Sequence, residues 1–181
     1  MTLANMITIL RVILVPIFII YMINNRTLAS LVIFSIASFS DALDGFLARV
    51  LGQKSNLGSH LDPLADKILL SSAYITLAIF GMIPSWLAVL IISRDVIILL
   101  GVLVLYLTHY PVTIHPSILS KATTCMQVAT VFIALSKGYI AIQFLSPFAL
   151  WLTGLLTIAS GLQYIRIGLI ILSRGANSNF T

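Results

Sequence analysis

Six long apolar runs, separated by short polar breaks, constrain this chain more than any other feature it has. They cover residues of about 12–23, 28–49, 61–80, 86–107, 118–135 and 144–172. A helix needs roughly 20 mainly apolar residues to cross the hydrocarbon core of a bilayer, and a helix satisfies its own backbone polar groups there. The composition agrees. Of the 181 residues, 60% are hydrophobic and only 8% are charged, and the mean hydropathy is +1.11, values of a polytopic membrane protein. The expected fold is therefore all-α: a single membrane domain over residues 1–181 with about six transmembrane helices and a short N-terminal interfacial helix. Six spans consume the chain, so no separate soluble domain is expected.

The breaks carry their own signals. In residues 1–11, Asn5, Thr8 and Arg11 recur every third position, which predicts one polar side of an amphipathic helix lying at the interface. Asn24-Asn25-Arg26 reads as a tight loop and residues 81–85 as a turn. Residues 108–117 are polar again, Ser136-Lys137-Gly138 breaks the fifth run, and residues 173–181 form a polar tail. Pro63 suits a first helical turn, where its missing N–H costs nothing. Trp86 and Tyr110 read as interface anchors, and His109 and His115 as interfacial loop residues. The single Cys125 lies in an apolar run with no disulfide partner in the chain. No secretory signal is expected, because residues 1–6 carry no basic side chain and no small-residue cleavage site follows the first run. With six spans, Arg49, Lys54, Lys67, Lys121 and Arg174 fall on one side with Arg11 close by, whereas Arg26 and Lys137 fall on the other. The excess of basic residues places the 41–66 segment and both termini in the cytoplasm. A net charge of +5 then suits anionic lipid headgroups rather than nucleic acid, for which there is no exposed basic domain.

Against this background the acids stand out. Four of the five, Asp41, Asp44, Asp62 and Asp66, lie within 26 residues. Asp41 and Asp44 are three apart and Asp62 and Asp66 four apart, so on helices each pair projects from one face. Like charges crowded in a poorly hydrated place repel, and the ionised forms persist only with cations among them. An all-carboxylate donor set favours a hard divalent ion: Mg²⁺, with Mn²⁺ or Ca²⁺ as the other choices. The first face continues through Gly45, Ala48 and Gly52, and the second runs Gly58, Asp62, Ala65, Asp66. Small side chains beside acids leave room for something other than protein. They also serve close packing of membrane helices, but packing does not call for four carboxylates where charge is costly.

The full pattern D-x2-D-G-x2-A-R-x8-G-x3-D-x3-D, formed by Asp41, Asp44, Gly45, Ala48, Arg49, Gly58, Asp62 and Asp66, resembles the signature of the CDP-alcohol phosphatidyltransferases. The segments ANMITILRVILVPIF, ISRDVII and HPSILSKATTCMQ are similar to stretches of the bacterial members that use glycerol 3-phosphate, the phosphatidylglycerophosphate synthases. Asp95 stands where that branch leads one to expect Glu, and Ser120 where glycine usually precedes the lysine. The resemblance implies transfer of the phosphatidyl group from CDP-diacylglycerol to glycerol 3-phosphate, with release of CMP, in anionic phospholipid biosynthesis. It implies that Asp41, Asp44, Asp62 and Asp66 hold two Mg²⁺ or Mn²⁺ ions. The same four positions bar Asp66, with Gly45, Ala48, Arg49 and Gly58, would bind CDP-diacylglycerol, and Asp66 would be the general base. The active site would face the cytoplasm from a bacterial inner membrane, among membrane lipids, and a homodimer would suit the family.

Outside the motif, Arg94 lies in mid-span, where a charge is expensive and usually functional. It reads either as a salt bridge, to Asp95 or to the acidic cluster, or as one half of a cationic pocket with Lys121 for the acceptor's phosphate. Arg166 joins that pocket or snorkels toward an interface. His60 is read as a loop histidine rather than a ligand. Other acceptors remain open at this stage: phosphatidylglycerol, as in a cardiolipin synthase, inositol phosphate, or serine. A cation transporter is the alternative from another class. Its acids, however, belong near the midplane between broken helices, not beside a turn.

Overall fold

The computed structural model describes residues 3–51, 58–107, 117–137, 139 and 145–178, and, within these, side chains outside 3–8, 41–64, 105–106 and 172–178. Six helices account for nearly all of them: α1 Leu3–Ile23, α2 Thr27–Leu51, α3 Gly58–Ile79, α4 Ser85–Leu107, α5 Ile118–Leu135 and α6 Ser146–Ser178. Each expected span is one helix. The described residues include no strand.

The N-terminal segment and the first span are a single helix, continuous through Pro16, so the separate interfacial piece is the first part of α1. Arg11, expected on a polar stripe at the interface, is instead buried. Among the described residues, Ser85–Val104, Ile118–Leu135 and Ser146–Ile171 are long and apolar enough to cross a membrane, and shorter apolar stretches cover Ile9–Ile23 and Thr27–Ser40. His60, read as a loop residue, lies in the first turn of α3, and α6 runs helically into what reads as a polar tail. The turn expected at 52–57 and the polar segment 108–116 lie outside the described residues.

Two connections show why these breaks work. Asn25 has φ 56°, and Arg26 N–H donates to the Tyr21 carbonyl at 2.9 Å. At the end of α3, Gly81 has φ 67°, and Met82 N–H donates to the Leu77 carbonyl at 2.9 Å. Both are left-handed helix terminations whose 6→1 bond satisfies a last-turn carbonyl, and Gly and Asn are the residues that enter that conformation most cheaply. Ser117 caps α5 by accepting from Ser120 N–H at 3.1 Å.

The bundle packs α1 against α2 and α3, α4 against α3 and α6, and α5 against α6, with α3 and α2 also touching α5. Its apolar core joins Phe18 and Met22 of α1, Phe34 of α2, Tyr74 and Leu77 of α3, Leu87 and Ile91 of α4, and Leu135 of α5. Phe18 and Phe34 meet with ring centroids 6.1 Å apart. Lipid is as apolar as these side chains, so dispersion and hydrogen bonds, more than exclusion from water, hold the helices together. Gly154 illustrates the tightness, since a Cβ there would lie 3.1 Å from the Trp86 ring. Between α5 and α6 the seam is polar. Thr130 and Thr153 hydroxyls bond at 2.7 Å, Gln127 Nε2 donates to Thr157 Oγ1 at 3.4 Å, and the Thr123 hydroxyl donates to the Leu156 carbonyl at 3.2 Å. Each hydroxyl or amide on this seam is buried.

Candidate active site

The acidic motif is divided between two helices. Asp41, Asp44, Gly45, Ala48 and Arg49 lie on the C-terminal half of α2, whereas Gly58 opens α3 and Asp62 follows one turn later. Their side chains lie outside the described residues. Asp66, the motif's last acid, is described: its side chain is one-third exposed, and Arg11 Nη1 donates to its Oδ1 at 2.6 Å. Arg11 reaches it from α1 with its own side chain fully buried. A carboxylate in this position thus already takes a cation as neighbour.

Asp66 lines a cavity of about 260 Å³ enclosed by α3, α4, α5 and α6. Next to it in the wall is Lys67, and facing them are Arg94 and Asp95 of α4, Ser120, Thr124 and Gln127 of α5, and Tyr164 of α6. Arg94 organises the far side. Its Nη1 donates to Asp95 Oδ1 at 2.7 Å, and its Nη2 donates to Ser120 Oγ and Ser160 Oγ, each at 2.8 Å. Its guanidinium carbon lies 5.9 Å from the Tyr164 ring centroid, within cation–π range. One side chain therefore ties α4 to both α5 and α6. Arg94 thus makes the salt bridge to Asp95 that is one of its two sequence readings, and it also lines the cavity.

The same Asp95 oxygen lies 3.3 Å from Lys67 Nζ. That ammonium nitrogen is shielded from solvent and makes no hydrogen bond, as is also true of Arg94 Nε. Lys121 stands apart: it is exposed on α5, next to Ser120, and is not in the cavity wall. Arg166 is exposed on α6, two residues beyond Tyr164. Sequence reasoning used Lys67 only to orient the chain and gave no role to Ser160 or to Arg11 at the acid. In Lys67 the available signal was its position directly after the final motif Asp.

Chemically, the cavity combines a carboxylate able to take a proton, two cations, and hydroxyl and amide groups for orientation.

Residues 1–159 match the family model described as CDP-alcohol phosphatidyltransferase. The chain is 37% identical over 181 residues to the CDP-diacylglycerol–glycerol-3-phosphate 3-phosphatidyltransferase of Bacillus subtilis, covering 90% of this chain and 92% of that protein. It is 35% identical to a probable cardiolipin synthase (CMP-forming) of Drosophila melanogaster, covering 91% of this chain and 57% of that protein. The human cardiolipin synthase (CMP-forming) is 34% identical, with 75% of this chain and 50% of that protein covered. The chain thus spans about half the length of the two animal relatives and nearly all of the bacterial one.

Proposed function

This chain belongs to the CDP-alcohol phosphatidyltransferase family, and we propose that within it the protein transfers the phosphatidyl group of CDP-diacylglycerol to sn-glycerol 3-phosphate, giving phosphatidylglycerophosphate and CMP. The observation that carries the acceptor assignment is the cavity, whose wall holds Asp66 together with two cations, the buried Arg94 and the partly buried Lys67. A small phosphorylated alcohol matches that arrangement: its phosphate meets the cations and its hydroxyl is directed toward Asp66. The full-length similarity to a bacterial protein named for glycerol 3-phosphate supports the same choice.

In the proposed reaction Asp66 takes the proton of the acceptor hydroxyl as that oxygen attacks the diacylglycerol-bearing phosphorus in line. The new P–O bond forms as the bond to the CMP phosphate breaks, and CMP departs with the electron pair. Arg11 fixes the Asp66 carboxylate from α1, so the base is aimed by a residue that lies outside the motif. Four carboxylates make an all-oxygen donor set suited to Mg²⁺ or Mn²⁺, and Asp41, Asp44, Asp62 and Asp66 would hold two such ions. When bound, they supply neutralisation of the pyrophosphate and of the leaving group. Arg94, in the cavity wall, and Lys121 and Arg166, exposed on α5 and α6, are the residues assigned to the acceptor's phosphate. The acyl chains stay in lipid while the nucleotide lies at the cytoplasmic end of the bundle of an inner-membrane protein.

The names of the animal relatives support a second reading, with phosphatidylglycerol as acceptor and cardiolipin as product. CMP release from CDP-diacylglycerol by purified protein, with glycerol 3-phosphate, phosphatidylglycerol, inositol phosphate and serine offered in parallel, separates the two. Turnover with glycerol 3-phosphate is expected. Turnover with phosphatidylglycerol alone keeps the family chemistry and overturns the acceptor. No CMP from any of them, against metal-dependent cation flux in vesicles, would return the transporter reading.

A further inference from the structure

We propose that Lys67, a residue outside the acidic motif, receives the acceptor's phosphate group together with Arg94, and that Asp95 is the positioning residue that holds both cations ready for it. This deepens the acceptor reading given above and rests on it.

Three observations lead there. Lys67 Nζ is shielded from solvent in the wall of the cavity, and its contact there is the 3.3 Å ion pair with Asp95, which lacks hydrogen-bond geometry, although an ammonium carries three donors. Arg94 Nε, also buried, makes no hydrogen bond. Donors shielded from water and short of well-placed acceptors are costly, and an anion offering several oxygens supplies them to both. The charge count points the same way. Lys67, Arg94 and Asp95 together carry one net positive charge, and Asp66 has Arg11 as a cationic neighbour. The α4 side of the cavity therefore suits an anion even with Asp95 in place.

Geometry then selects phosphate and its orientation. Asp95 Oδ1 lies within 3.3 Å of both Lys67 Nζ and Arg94 Nη1, so one carboxylate oxygen sets the separation of the two cations. Two oxygens of one phosphate group bridge such a gap, given charge-assisted bonds of about 2.8 Å. Lys67 directly follows Asp66 on α3, and both line the cavity. A phosphate held at Lys67 keeps the rest of a short acceptor beside Asp66.

The test uses full-length protein in mixed micelles with CDP-diacylglycerol. CMP release is followed while glycerol 3-phosphate or phosphatidylglycerol is varied. Lys67→Gln is expected to raise KM for the productive acceptor about ten- to a hundredfold, with KM for CDP-diacylglycerol changed less than about twofold. Lys67→Arg should recover most of the loss. An unchanged acceptor KM in Lys67→Gln, or an equal rise for CDP-diacylglycerol, overturns the proposal. If Lys67→Gln gives no cooperative melt, Lys67→Met decides. Its acceptor KM and its inhibition constant for inorganic phosphate should rise together, and a rise in neither overturns the assignment. A wild type that ignores glycerol 3-phosphate but uses phosphatidylglycerol refutes the acceptor proposed above. Lys67 is then judged on the KM for the phosphodiester.

Discussion

Replacing Asp95 by Asn should destabilise the bundle, and phosphate should repair it. In the folded protein one Asp95 oxygen lies 2.7 Å from Arg94 Nη1 and 3.3 Å from Lys67 Nζ. The two cations are therefore at most about 6 Å apart, and without the carboxylate they repel by about 3 kcal/mol at an effective dielectric of 20. The bond to Arg94 loses its charge assistance, which adds about 1 kcal/mol, and relief of the carboxylate's own desolvation offsets part of that. Lys67, being partly exposed, also relaxes by swinging its stem toward water. A net loss of about 2–4 kcal/mol remains, or a fall of roughly 5–15 °C in Tm for a chain of this size. Thermal unfolding in detergent, read by the fluorescence of Trp86 and Trp151, measures it. Asp95→Glu, which keeps the charge, should lose less than half as much. Inorganic phosphate at ten times its Kd should return about 1.4 kcal/mol by mass action, more in Asp95→Asn than in wild type because the variant binds the anion more tightly. The reasoning fails if Asp95→Asn melts within 2 °C of wild type, a threshold of roughly half a kcal/mol, and phosphate shifts both proteins alike.

Three further outcomes are expected. Asn at Asp41, Asp44 or Asp62 should abolish CMP release while leaving the melt intact, and Asp66→Asn should abolish it with a lowered Tm because the buried Arg11 loses its anionic partner; EDTA should stop wild type until Mg²⁺ or Mn²⁺ is restored, and full activity of Asp66→Asn in chelator would refute the role of the motif. Arg11→Met should lower kcat about ten- to a hundredfold through loss of one charge-assisted bond to Asp66 of about 1.5–3 kcal/mol, with Arg11→Lys intermediate, and an unaltered kcat would show that Asp66 needs no partner from α1. A cysteine introduced at Ser55, in a protein first freed of Cys125, should resist a membrane-impermeant thiol reagent in intact cells and react once they are opened, whereas labelling of intact cells would invert the proposed orientation.

Much of this architecture is legible in the chain because run length and breakers act locally. The spans matched helices one for one, since an apolar run near 20 residues has few alternatives in lipid, and Asn25 and Gly81 supplied the left-handed terminations that the breaks require. Arg11 shows where local reading ends. Polar residues three apart predict a helix face but not what that face meets, and its partner Asp66 is 55 positions away. Lys67 presents the same difficulty. In the sequence it is one more basic residue near a span end, and only the packing of α3 on α4 brings it to Asp95. Lys121 and Ser120 are adjacent, yet it is the serine that reaches Arg94. The resemblance to the family signature is carried by residue types within one short stretch, whereas the wall of the cavity depends on contacts between helices.

The polar seam between α5 and α6 has a consequence for how the protein answers to its lipid. At 33 residues, α6 is about 50 Å long, well beyond a hydrocarbon core of about 30 Å, so bilayers of different thickness will load it differently. Sliding α6 along α5 by one turn would break the Thr130–Thr153 and Gln127–Thr157 bonds together and carry Ser160 about 5.4 Å from Arg94. Tilting the bundle costs only fractions of a kcal/mol per Å of mismatch. Thicker or thinner membranes should therefore rotate the bundle as a unit against the bilayer normal, while the spacing of Arg94, Ser120 and Ser160 around the cavity stays the same.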